Sequence, residues 1–257
     1  MLTYMRNDVW IKRTGQDPQT CFRLFCFPYA GGGASFFRTW RERLPSDIEV
    51  CAIQLPGRED RLREPPFARL SSLIDALADV LYPYMDFPFA FFGHSLGSLI
   101  SFELTRRLRR QKAPCPIQLF VSGCRAPQIP NPDPPIHQLP DAEFIEELLR
   151  FNGTPKVVVD NPELMELLLP LLRSDLRLYE TYVYDHEAPL DCPISAFAGF
   201  EDEEVSREEL AAWCGQTRSR FSMQMFPGNH FFLNGNQSND LLEIISKDIS
   251  KIAGKTK

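Results

Sequence analysis

Phe89-Ala90-Phe91-Phe92-Gly93-His94-Ser95-Leu96-Gly97 is an apolar run that closes on the pattern G-x-S-x-G, and the stretch after it, SLISFELTRRLRR, reads as a helix. A strand, a tight turn and a helix in that order form the context of a nucleophile elbow. The turn predicts a strained backbone at Ser95. The small residues Gly93 and Gly97 leave room for neighbouring backbone to approach. The Ser95 oxygen then projects above a sheet at a helix N-terminus, where free N–H groups and the helix dipole favour negative charge. A bare G-x-S-x-G arises often by chance, and an ordinary glycine-rich turn is the plain alternative. The flanks are what make this one specific.

Working outward, similar apolar runs recur at 22–27, 48–53, 89–92, 118–122, 194–198 and 221–226. They are nearly continuous rather than alternating, as parallel strands buried on both faces require. Helical patterns lie between them at 34–43, 69–82, 96–111, 207–216 and 239–252. Strand–helix alternation predicts βαβ units in a mostly parallel central sheet flanked by helices. With the elbow in place this is the α/β-hydrolase fold, expected as a single domain over residues 1–257.

The alternation breaks between about 126 and 190. This segment opens on a proline-rich stretch and has only Val157–Val159 as a strand candidate. One helix is expected from Asp141 to Arg150. A second starts at Asn161, with Pro162 at the first helical position. Pro170 is expected to kink or split it. That helix carries Leu164, Leu167, Leu168, Leu169, Leu171 and Leu172. It is either a buried core helix or part of an α-helical lid whose leucines line an acyl pocket. Its place between a central strand and the last two strands favours the lid.

A serine hydroxyl needs a base. Of the four histidines, His94 belongs to the elbow, and its side chain is expected to point away from that of Ser95. His137 and His186 flank the lid segment. His230 follows the last strand in FPGNHFFL, which fits the chain order serine, acid, histidine. The acid belongs after the preceding strand, where Phe200 is followed by Glu201, Asp202, Glu203 and Glu204. Asp202 is the choice and Glu201 the alternative; a solvated acidic cap on the next helix would explain the cluster equally simply. For the oxyanion, the donors expected are the N–H of Leu96 and that of Ala30, in the loop Phe27-Pro28-Tyr29-Ala30-Gly31-Gly32-Gly33. That loop lacks the lysine of a P-loop and the spacing of a dinucleotide fingerprint.

Composition narrows the classes. The net charge is −6, which argues against nucleic acid as a partner. Seven cysteines without a C-x-x-C pair fit neither a disulfide framework nor a zinc site. No apolar stretch suits a leader or a membrane span. The expectation is a reduced, cytoplasmic, monomeric protein without metal or cofactor.

With these residues placed, the chain resembles the type II thioesterases of polyketide and nonribosomal peptide synthesis. The resemblance rests on FCFPYAGGGASFFRTW, QLPGREDRL (54–62), FFGHSLGSLISFEL, VSGCRAP (121–127), LPDAEFIEELLRFNGTP (139–155), PLDCPISAFAG (189–199) and FPGNHFFL. It differs from the usual family pattern at Asp202-Glu203, where Asp-Pro is common, and at Gly228-Asn229-His230, where Gly-Gly-His is common. The resemblance implies a Ser95, Asp202, His230 triad with Ala30 and Leu96 as oxyanion donors. It implies hydrolysis of acyl thioesters carried on the phosphopantetheine arm of acyl or peptidyl carrier proteins. Docking an acidic carrier asks for a positive face. Arg58, Arg61 and Arg63 form one candidate, and Arg106, Arg107, Arg109, Arg110 and Lys112 another, each with a solvated face as the alternative. An esterase, lipase or cyclising thioesterase on the same fold, or a non-catalytic hydrolase-like binder, are the competing readings.

Overall fold

The computed structural model describes residues 9–13, 18–150, 156–235 and 237–253. Seven strands form one sheet: β1 (Ile11–Arg13), β2 (Phe22–Phe27), β3 (Ile48–Ile53), β4 (Phe89–His94), β5 (Gln118–Ser122), β6 (Ile194–Gly199) and β7 (Phe221–Phe226). The helices are α1 (Leu70–Leu81), α2 (Leu96–Arg110), α3 (Asp141–Arg150), α4 (Lys156–Val159), α5 (Pro162–Glu180), α6 (Arg207–Ala211) and α7 (Gln237–Ala253). The sheet order is β1-β3-β2-β4-β5-β6-β7. Every pairing is parallel except β1 with β3. This is the α/β-hydrolase arrangement.

Every residue of β2 through β6 is buried, and period two divides them between two cores. Phe25, Phe27, Phe89, Phe91, Leu119 and Val121 enter one core, under α1 and α2. Leu24, Cys26, Ala90, Phe92 and Phe120 enter the other, under α7. The apolar runs lack alternation because both faces are covered. β7, at one edge of the sheet, alternates, exposing Ser222 and Gln224.

Three local expectations change, and of the two offered for Pro170 one falls. Residues 34–43 form two short 3₁₀ pieces, Ala34–Phe37 and Trp40–Glu42, instead of one helix. The chain there wraps Phe37 and Trp40 onto Phe92, with ring centroids 6.1 and 4.7 Å away, and side-chain packing decides the path. After Ala211 the expected helix tightens into a 3₁₀ turn, Ala212–Gln216. Val157–Val159 belongs to α4, not to a strand, and no sheet edge lies beside it. Pro170 does not split α5, which runs unbroken from its Asn161 cap to Glu180.

Between β5 and β6 lie α3, α4 and α5, with their own small core of Ile136, Phe144, Leu148, Met165 and Leu172. Residues 151–155 of the stretch 139–155 lie outside the described residues. Helix α5 is neither a fully buried core helix nor a free one. Leu171, Leu172 and Leu178 are buried, while Leu164 and Leu167 face solvent at 41% and 50% exposure.

Candidate active site

Ser95 sits between β4 and α2 with φ +53° and ψ −120°, a region an L-residue occupies only when its surroundings enforce it. The enforcing contacts are visible. Ser95 N–H donates to Ser122 O (2.7 Å) at the end of β5. Ser98 Oγ donates to Gly93 O and Ser122 O (2.8 and 3.0 Å) and accepts from Ser122 N–H (3.0 Å). A Cβ on Gly97 would lie 2.1 Å from Phe27 O, so no larger residue lets α2 approach β2. Ser98 and Ser122 thus pin the turn. Sequence reasoning missed both, because a small polar residue inside an apolar helix gives no signal of its own.

The loop after β2 makes a tight turn closed by Gly32 N–H to Tyr29 O (2.9 Å). Gly31, at φ +78°, occupies the position where a type II turn needs glycine. Among the described residues the N–H groups of Ala30 and Leu96 donate to no protein group. Ala30, Ser95, Leu96 and His230 all line one cavity of about 330 Å³.

His230 follows β7, and Asp202 follows β6. The two loops are tied by Phe200 N–H to Phe226 O (2.7 Å) and Glu201 N–H to Gly228 O (3.0 Å). His230 Nδ1 lies 2.9 Å from Asp202 Oδ2 and 3.1 Å from Oδ1. Asp202 Oδ1 also accepts from Glu204 N–H (2.9 Å), which fixes the carboxylate in its turn. Glu201 is exposed and makes no such contact. The Ser95 hydroxyl and His230 face the same cavity without a hydrogen bond between them. Such bonds are commonly long in a free enzyme.

The other histidines fall elsewhere. His94 is not among the residues that line the cavity and is wholly buried, its Nδ1 3.0 Å from Ser122 Oγ and its ring 5.1 Å from that of His230. Burial, and then the neighbouring His230, hold its pKa well below the usual histidine range. His137 binds Glu180 through Nδ1. His186 packs against Tyr184. The Cys124 thiol just past β5 is pushed up to about 12 by burial and does not compete as a nucleophile.

The cavity passes from Ser95 between α3 and α5. Ile136, Leu139, Leu148, Leu172, Leu176 and Tyr179 give it an apolar wall, and Arg125, Asp133, Glu147, Arg150, Glu180 and Glu204 its polar parts. Burial raises the Glu204 pKa above the usual carboxylate range, with the charges of Asp202 and Asp133 adding to it and those of His230 and Arg125 opposing it.

Of the two basic clusters, Arg63 and Lys112 are exposed, and the other members are paired with acids. Arg58 and Arg61 are buried; Arg58 pairs with Asp175, and Arg61 packs over Trp10 and binds Glu64. Arg106 is buried against Glu103 and Glu187 (2.6 and 3.0 Å). Arg107 pairs with Asp75, and Arg109 and Arg110 reach Glu187. Arg106 and Arg109 also bind the carbonyls of Asp185, Ala188 and Pro189. These arginines anchor the return from α5 to β6 onto α2. Glu64 and Glu103 stand three residues from the arginines they pair with, whereas Asp75, Asp175 and Glu187 are distant in sequence, so those pairings show only in the tertiary structure.

The model of the thioesterase domain family matches residues 22–249. The gramicidin S biosynthesis protein GrsT of Aneurinibacillus migulanus is 45% identical over 240 residues, 93% of either chain. The solved structure of RedJ, a thioesterase from the prodiginine pathway of Streptomyces coelicolor, is 41% identical. It superposes with a TM-score of 0.83 over 89% of this chain and 90% of that one. The type II thioesterase BorB of the borrelidin cluster gives 36% identity and a TM-score of 0.84 over 93% and 97%. From its first long strand to its last helix, the chain belongs to the thioesterase family of the α/β-hydrolase fold.

Proposed function

We propose that this protein hydrolyses acyl thioesters held on the phosphopantetheine arms of carrier proteins, clearing stalled or incorrect acyl groups during polyketide or nonribosomal peptide synthesis. The observation that carries the chemistry is the shared cavity: a strained serine, an imidazole already bound to a buried carboxylate, and two unpaired backbone donors. The family membership and the biosynthetic setting of its relatives support the thioester substrate.

In this reading His230 Nε2 accepts the Ser95 proton as Ser95 Oγ attacks the thioester carbonyl. The N–H groups of Ala30 and Leu96 stabilise the oxyanion, each worth about 10²–10³ in rate. Asp202 keeps the Nδ1–H tautomer in place and stabilises the imidazolium. The C–S bond then breaks, and His230 returns the proton to the thiolate. Water, deprotonated by His230, attacks the acyl-serine; the bond from the acyl carbon to Ser95 Oγ breaks, His230 returns the proton to Ser95 Oγ, and the free acid leaves. No step requires a metal or a cofactor beyond the pantetheine that the substrate brings.

The test is turnover of an acyl-pantetheine thioester and of the matched oxygen ester, with Ser95→Ala as control. Faster hydrolysis of the thioester, lost in Ser95→Ala, is expected. Preference for the oxygen ester would make the protein an esterase. Failure of Ser95 to label with a fluorophosphonate, with no turnover of either substrate, would make it a binding protein.

A further inference from the structure

Asp175 lies on α5, three residues after Leu172, and is 1% exposed. Both its oxygens are used. Oδ1 accepts from Arg58 Nη2 (2.9 Å). Oδ2 accepts from Arg58 Nη1 (2.9 Å) and from the backbone N–H of Gly31 (2.7 Å). Arg58 Nη1 also donates to Gly32 O (2.9 Å). One turn of α5 therefore grips two loops. Leu172 packs on Gly31 so closely that a Cβ there would meet its Cδ2 at 2.5 Å, and Leu171 packs on Gly57. Ser174 Oγ donates to Phe67 O (2.7 Å) beside them.

A buried ion pair is a poor device for stability, because apolar residues of similar volume do as well or better. What apolar residues would not do here is accept the Gly31 N–H. That N–H belongs to the peptide joining Gly31 to Ala30, inside the turn whose other members are Tyr29 and Gly32. Its direction sets the turn, and the turn aims the Ala30 N–H. A bare carboxylate so near a developing oxyanion would oppose it electrostatically; the bidentate guanidinium cancels that charge.

We propose that Asp175, held by Arg58, is a positioning residue for the oxyanion loop. It orients the Ala30–Gly31 peptide from the inserted helix, so the Ala30 donor is aimed only while α5 is seated on the loop. This rests on the assignment of Ala30 as an oxyanion donor made above.

The experiment compares wild type with Asp175→Ala, which removes the acceptor of the Gly31 N–H, and with the double variant Arg58→Met/Asp175→Leu, which removes both buried charges and replaces them with apolar side chains. Each is measured for thermal unfolding and for kcat and KM on an acyl-pantetheine thioester. Each is also measured for binding of two ligands. One is an acyl trifluoromethyl ketone, which forms a hemiketal oxyanion with Ser95; the other is the thioether analogue, with CH₂ in place of the carbonyl. The expected result is a loss of about 10- to 100-fold in kcat with KM within about 3-fold, the scale of a misplaced catalytic donor. The ketone should bind weaker by the same factor and the thioether unchanged. Arg58→Lys, which retains the carboxylate and its Gly31 contact, should recover most of kcat. Undiminished kcat in a folded variant, equal weakening of both ligands, or loss of the fold in both Asp175 variants would overturn the proposal. If wild type itself neither turned over the thioester nor bound the ketone, the assignment of Ala30 would fall first and this proposal with it.

Discussion

The Asp202 side chain is fully buried, whereas His230, which binds it through Nδ1, keeps 13% of its side chain exposed. The acid is sealed from water and the base reaches the cavity. This asymmetry separates Asp202 from its acidic neighbours, which look equivalent in sequence. Asp202→Asn should lower kcat by about 10⁴-fold, because the amide favours the wrong imidazole tautomer. Glu201→Gln, on an exposed residue, should stay within about 3-fold by the same reasoning. Steady-state thioester hydrolysis decides; the opposite ranking reassigns the acid.

His94 makes stability depend on pH. Its folded pKa lies well below that of an unfolded histidine, about 6.5. As pH falls through that value the unfolded chain takes up a proton that the folded chain refuses. The stability from neutral His94 is therefore complete above about pH 6.5 and declines below it, by up to about 1.4 kcal/mol per pH unit. His94→Gln keeps a polar partner for Ser122 and cannot titrate. Urea unfolding between pH 7 and pH 5 should show a shallower decline for the variant. Equal declines would place the titration elsewhere.

Arg106 serves the fold rather than docking. Charge reversal, Arg106→Glu, would bury a third carboxylate beside Glu103 and Glu187. A loss of about 3–5 kcal/mol of stability is expected, as for a broken buried pair. Any fall in activity should follow the unfolded fraction and affect acyl-carrier protein and acyl-pantetheine alike. A rise in KM for the carrier protein alone, at unchanged stability, would restore a docking role.

Leu176 stands on the α5 wall of the cavity. Leu176→Trp should reduce the space for the acyl chain. Acetyl thioester should keep most of its kcat/KM, while octanoyl thioester loses about 10-fold or more, given about 1–3 kcal/mol per displaced methylene. A chain-length series reads this directly, and parallel losses for both substrates would show that the acyl chain does not run along α5.

Much of this molecule was legible in one dimension because the features concerned are local. Parallel strands buried on both faces read as near-continuous apolar runs, as 22–27, 48–53, 89–92, 118–122 and 194–198 do; 221–226, read the same way, is an edge strand that alternates. The elbow needs glycine on each side of a serine within five residues. Elimination of His94, His137 and His186 by their place in the chain, with the order serine, acid, histidine, singled out His230. By contrast, β1 is three residues long, too short for a pattern to emerge, and exists because β3 offers it an edge. The 3₁₀ path of 34–42 follows from where Phe37 and Trp40 find ring partners on β4.

The tertiary structure alone decided what the charges do. Arg58 meets Asp175 across 117 positions, and Arg106 meets the Asp185 carbonyl across 79. Local pairs such as Arg61–Glu64 and Glu103–Arg106 follow an i,i+3 spacing, but these long-range pairs have no period along the chain; they depend on distance and on exclusion of water, which exist only once helix and sheet have closed on one another. The sequence by itself therefore determined which groups could do chemistry and in what order they follow. Folding determined which charges were neutralised and which backbone donors were left free to act.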